Sequence, residues 1–144
     1  KTARDGGTSA KAIAAQIEKT EAELKVRGSV NALAVAKRLT AARLALVDVV
    51  DFIAANSKSN PNAAYAGSVP YLMLAGNLMA GWQLARALLM AEDLSAKGQD
   101  TPFMQAKITT ARFYADHLLS RAPGVRDAIV EGAEAVTALP AEAF

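Results

Sequence analysis

Val69 to Ala91 reads VPYLMLAGNLMAGWQLARALLMA. On a helical wheel, Tyr71, Leu72, Leu74, Leu78, Met79, Trp82, Leu84, Leu88 and Leu89 leave no polar face, and a helix that is apolar all round belongs at the centre of a fold. The expectation is a central helix with the rest of the chain wrapped about it. Gly76, Ala80 and Ala87 share one stripe of that helix, and small residues so spaced favour a close crossing with a neighbour. Asn77, Gln83 and Arg86 lie in apolar company and need partners. Asp48 or Asp51 could pair with Arg86 inside the bundle; the alternative is an anionic ligand.

The flanking sequence supplies further helices. Thr8 or Ser9 can cap a first helix reaching Arg27, with a narrow apolar stripe at Ile13, Ile17 and Leu24. Its opposite face carries Glu18, Lys19, Glu21, Glu23, Lys25 and Arg27 and reads as wet, with Glu21/Lys25 and Glu23/Arg27 spaced to pair. Gly28 ends that helix and Ser29 caps the next, Val30 to about Asn56 and roughly 40 Å long. Val35, Leu39, Ala42, Leu46, Val49 and Ile53 form its main stripe, with Leu33, Leu44 and Val47 as a weaker second one. Ser57 to Ser68 is a loop of turn formers, read as a crossover connection.

Beyond the central helix, Gly98 to Pro102 is a short connection that favours an antiparallel partner. The fourth helix, Phe103 to about Arg121, has its core stripe at Met104, Ile108, Ala111, Ala115, Leu118 and Leu119. Ala106, Thr110, Phe113 and His117 recur on another face and suggest a second contact surface. A shorter fifth helix follows Pro123-Gly124, with Val125, Ile129, Ala133 and Val136 inward. The fold class expected is all-α: an antiparallel up-and-down bundle of four main helices plus a short fifth. Residues 1–7 read as linker and 8–144 as the bundle domain.

Composition narrows the chemistry. The chain has 144 residues, 52% apolar but only 6% aromatic, which favours closely packed helices and one domain. Without cysteine there is no disulfide, thiol nucleophile or thiolate metal site. A net charge of +2 is too mild to imply nucleic acid or an anionic membrane. The uncharged run Ser59 to Ala85 is long enough to span a bilayer, but its asparagines and prolines fit a buried helix better. His117, the one histidine, lacks the Glu-x-x-His spacing of di-iron bundles. It reads as an interface or surface histidine rather than a proton carrier. Asp48/Asp51 and Glu131/Glu134 are i, i+3 carboxylate pairs that could do acid/base work, yet nothing catalytic converges on them. Arg112 has Asp116 as a local partner.

Gly81-Trp82-Gln83-Leu84-Ala85, Phe103, and Lys107-Ile108-Thr109-Thr110-Ala111-Arg112-Phe113-Tyr114-Ala115 together resemble the C-terminal helical domain of the longer acyl-CoA dehydrogenases, the 3-methylmercaptopropionyl-CoA dehydrogenase-like subgroup. Ile129 to Val136 is similar to that domain's last helix. The resemblance spans roughly Ala10 to Pro140. It implies a segment of a larger chain, which beginning at Lys1 rather than Met also suggests. The parent would be an FAD-dependent oxidoreductase converting acyl-CoA to 2,3-enoyl-CoA, with its catalytic glutamate and flavin outside this segment. It further implies no catalytic, cofactor or metal residue here, and a cytoplasmic location.

On that footing the bundle is expected to act by packing. Phe113, His117, Tyr114 and Thr110 would dock on the catalytic core of the same chain or on a second subunit. The alternative is a free-standing dimerisation or interaction module. A third reading is a small-ligand pocket lined by Trp82, Asn77 and Arg86.

Overall fold

Gly28 sets the first corner. Its φ of 68° is left-handed, a conformation glycine adopts without steric cost, and its N–H closes on the Leu24 carbonyl at 3.2 Å. Ser29 then accepts the Ala32 amide at 3.0 Å, so a new helix starts at once and must run back. The two helices are α1, Thr8–Arg27, and α2, Val30–Asn56. Cross-links fall in antiparallel order: Lys11 to Asp51 at 2.5 Å, and Glu21 to Thr40 at 2.8 Å. At its other end α1 is not capped by Thr8 or Ser9. Asp5 accepts the Gly7 and Ser9 amides at 3.0 and 3.3 Å, and a hydrogen bond from the Ser9 side chain, joined by these amides, holds its carboxyl below the usual carboxylate range. A longer-reaching carboxylate in the preceding turn serves in place of the hydroxyls.

The computed structural model describes residues 1–143 and is all-α. After α2 come α3 (Pro61–Ala66), α4 (Ser68–Ala96), α5 (Thr101–His117), α6 (Ala122–Val130) and α7 (Ala133–Val136), with single 3₁₀ turns at Leu119–Arg121 and Ala141–Ala143. The expected crossover loop thus holds a helix of its own. Asn60 accepts the Ala63 amide and Pro61 sits in the first turn, two local signals sufficient to start it. The fifth helix divides at Gly132 into α6 and α7. Residues 1–7 form turns, with Thr2 and Tyr71 sharing a hydrogen bond of 2.9 Å.

The centre of the bundle is α2, not the apolar helix α4. All six residues of the α2 main stripe are buried, together with Ala32, Ala36, Ala45 and Val50, and α2 packs against α1, α4, α5 and α6. Leu33 and Leu44 of the expected second stripe are exposed, because α2 meets its further neighbours through small residues instead. By contrast α4 buries only one side: Leu74, Leu78, Gly81, Ala85, Leu88 and Ala91. Val69, Leu72, Met73 and Met90 are open, Leu72 at 70% exposure. Nothing in the described chain covers the side of α4 that carries Val69, Leu72 and Met79.

The close crossing occurs elsewhere than expected. Gly76 has open space where a side chain would be, and Ala80 is exposed. A Cβ on Gly81 would lie 2.7 Å from Leu119 Cδ1, so Gly81 is the point where the turn after α5 presses on α4. Helices α4 and α5 run antiparallel, tied by Tyr114 to Asn77 and by Gln105 to Ser95. The observed fold is therefore the all-α up-and-down bundle read from the sequence. No described helix is long and apolar enough to cross a membrane.

Candidate functional site

Helical spacing brings Phe103, Ala106, Thr110, Phe113 and His117 onto one side of α5, and all five are exposed. Phe113 is 57% exposed and stacks on His117, with ring centroids 4.4 Å apart and planes 29° from parallel. An i, i+4 aromatic pair of this kind is held flat against its helix and offers a stiff apolar surface. Lys107 sits 5.1 Å from the Phe103 ring, so its charge borders the same side. Thr110 turns its hydroxyl back to the Ala106 carbonyl at 2.9 Å, which uses up the polar group at the centre of the face.

Tyr114 does not join this face. Its hydroxyl donates to the Asn77 carbonyl at 3.3 Å, and burial pushes its pKa up. It links α5 to α4 from within. Asn77 is half-buried and serves through its backbone. Beyond that tie, α4 adds its own open side. Met73 borders a crevice with Leu118 and Arg121, directly after α5. Leu72, Met73 and Met79 with Gly76 and Ala80 form an open apolar side of α4, beside the one that Phe113 and His117 form on α5. The sequence signal for this side was present in the all-round apolar pattern, which fits a helix covered from outside as well as one buried at the centre.

Arg86 is neither buried nor paired with Asp48 or Asp51. Those carboxylates are held by Arg126 at 3.2 Å and by Lys11 at 2.5 Å. Arg86 is exposed, bonds Gln83 at 2.9 Å, and lies 5.8 Å over the Trp82 ring. The three residues of the ligand-pocket reading do not line one cavity: Trp82 donates to Thr20 at 2.8 Å, and Asn77 lies on the α5 side. Of the second carboxylate pair, Glu131 is likewise engaged, 2.5 Å from Arg126. Among the described residues no group of three or more His, Cys, Asp or Glu could hold a metal ion.

Three ion clusters fasten the helices to one another. Glu21, expected on the wet side of α1, is 2% exposed and accepts from Arg43 and Thr40 of α2 rather than from Lys25. Arg27 likewise reaches Glu92 and Asp93 on α4 rather than Glu23. Asp116 on α5 accepts from Arg112 at 2.5 Å and from Arg38 of α2 at 3.4 Å.

The hydrogen bond from Arg112, reinforced by its charge and by Arg38, holds the Asp116 carboxyl below its ordinary value of 3.8. A depressed folded pKa contributes stability above the unfolded pKa and loses it as pH falls through the folded one. The expected outcome is that Asp116→Asn loses less stability than the parent between pH 5 and pH 3 in urea titrations. Parallel losses in both proteins would contradict it.

Residues 10–140 match the protein family described as acetyl-CoA dehydrogenase C-terminal like. The chain is similar to the 3-methylmercaptopropionyl-CoA dehydrogenase of Ruegeria pomeroyi, with 48% identity over 119 residues, covering 83% of this chain and 20% of that protein. The chain thus spans about a fifth of the length of the curated relative it matches.

Proposed function

The chain belongs to the acetyl-CoA dehydrogenase C-terminal-like family, and from that premise we propose that it is a noncatalytic domain of a longer FAD-dependent acyl-CoA dehydrogenase, working by packing. The observation that supports this is the open apolar face of α4 and α5, centred on Met73, Phe113 and His117. Exposed apolar sides on two packed helices are contact surfaces in search of a partner. The partner in this reading is the catalytic core of the same chain or of a second subunit. The parent oxidises an acyl-CoA to the 2,3-enoyl-CoA in the cytoplasm, and the bundle helps enclose the flavin or acyl-CoA site.

The described residues do not fit the flavin itself. No glycine-rich phosphate loop precedes any helix, and the concavity between α1 and α4 sets Glu23 and Asp93 against Arg27 and Arg86, which leaves no net positive charge to hold a pyrophosphate. No chemical step is therefore assigned to this segment, and the acyl-CoA and flavin belong to the core.

The test is Phe113→Asp in the full-length enzyme. Phe113 is open in this domain, so the bundle keeps its stability. A charge at the centre of an apolar interface weakens docking by about 2 kcal/mol, or roughly 30-fold. The expected result is a fall of about tenfold or more in kcat/KM with acyl-CoA and an artificial electron acceptor. Unchanged activity and flavin retention would overturn the docking role and favour a free-standing interaction module.

A further inference from the structure

A groove of about 1020 Å³ runs between α1 and α4, apart from the α4/α5 face. Glu23 and Val26 stand on its α1 wall and Arg86 and Met90 on its α4 wall, with Ala22 and Ala87 between. Val26 is 88% exposed and Met90 is also open. Of the charged groups along the groove, Arg27 and Asp93 satisfy each other at 2.8 Å. Among the described residues, Glu23 and Arg86 have no ion-pair partner, although they lie at the same level. The bonds Thr20 to Trp82 and Arg27 to the Leu89 carbonyl set α1 and α4 parallel, which puts Glu23 opposite Ala85 and Arg86.

We propose that this groove is a two-fold contact with a second copy of the chain. A two-fold axis running along the groove, in the plane of the contact, turns the second copy to face the first, keeps the helix direction and exchanges the walls. It lays α1 of the second copy over α4 of the first, and so sets each Glu23 against the other copy's Arg86, forming two ion pairs from the one unpaired carboxylate and one unpaired guanidinium of each copy. The cation is already positioned, since Gln83 bonds it, the Trp82 ring lies beneath it and Thr20 fixes that ring. A fixed guanidinium loses little freedom on pairing. Ala22 and Ala87 let the backbones approach, and Val26 and Met90 supply the apolar area around the pairs. A polyanionic occupant is disfavoured because Glu23 and Asp93 balance Arg27 and Arg86, so the groove carries no net positive charge. The proposal uses none of the α4/α5 face and stands apart from the docking reading.

The experiment uses the full-length protein carrying Glu23→Cys or Arg86→Cys, each alone and as a mixture. The present chain contributes no other cysteine, and the unsubstituted protein is the control for the rest. A short bifunctional thiol reagent is used, because a Glu–Arg contact holds its Cα atoms beyond disulfide reach. The expected result is covalent dimer in the mixture at roughly tenfold the yield of either variant alone, as contact raises the effective concentration of the two thiols. A mixture no better cross-linked than the unsubstituted protein overturns the contact. Equal cross-linking of either single variant overturns the two-fold pairing.

Discussion

Arg43→Ala lowers the stability of the bundle by about 3–5 kcal/mol, because it strands a buried carboxylate. Glu21 is 2% exposed and accepts from Arg43 Nε at 2.7 Å and Nη2 at 3.0 Å. That pairing pushes the Arg43 pKa up. Without the guanidinium only the Thr40 hydroxyl, at 2.8 Å, remains to solvate the charge. Replacing both partners with apolar residues, Glu21→Leu with Arg43→Met, costs less than the single substitution, since no charge is left desolvated. Urea unfolding midpoints measure both. A loss below about 1 kcal/mol for Arg43→Ala would mean that the pair is solvated like an ordinary surface bridge.

Leu39→Ala removes a fully buried side chain from the middle of α2, and costs about 3–4 kcal/mol through lost burial and the cavity it leaves. Leu72→Ala on the open side of α4 changes the stability of the bundle by no more than about 0.5 kcal/mol. The pair of measurements separates a bundle centred on α2 from one centred on α4. If Leu72→Ala were as damaging as Leu39→Ala, the open side of α4 would be covered within this chain.

Periodicity reports how many sides of a helix are apolar, not which molecule covers each. That is why the main stripe of α2, from Val35 to Ile53, was legible in the sequence, as were the Gly28-Ser29 corner and the exposed Phe113/His117 pair. It is also why α4 read as the centre: a helix covered by α2 and α5 on one side and open on the other has the same pattern as one buried all round. Leu33 and Leu44 misled for a related reason, since alanines made the contacts that large side chains were expected to make. Charge pairing was least legible. Glu21 and Arg27 have partners of the right spacing on α1, yet both reach across to α2 and α4, where Arg43, Glu92 and Asp93 are brought close by the antiparallel corner. Of the docking residues read from sequence, Thr110, Phe113 and His117 share the open face. Tyr114 turns inward because one helical step carries it toward Asn77.

The central claim, that the α4/α5 face is covered in the parent protein, is tested most directly by hydroxyl-radical footprinting of the full-length chain. Phe113 and Tyr65 are aromatic and nearly equally open in this domain, at 57% and 51%, but Tyr65 lies on α3, away from the face. The account predicts slow labelling of Phe113 and Met73 beside rapid labelling of Tyr65. Phe113 labelled as fast as Tyr65 would contradict it.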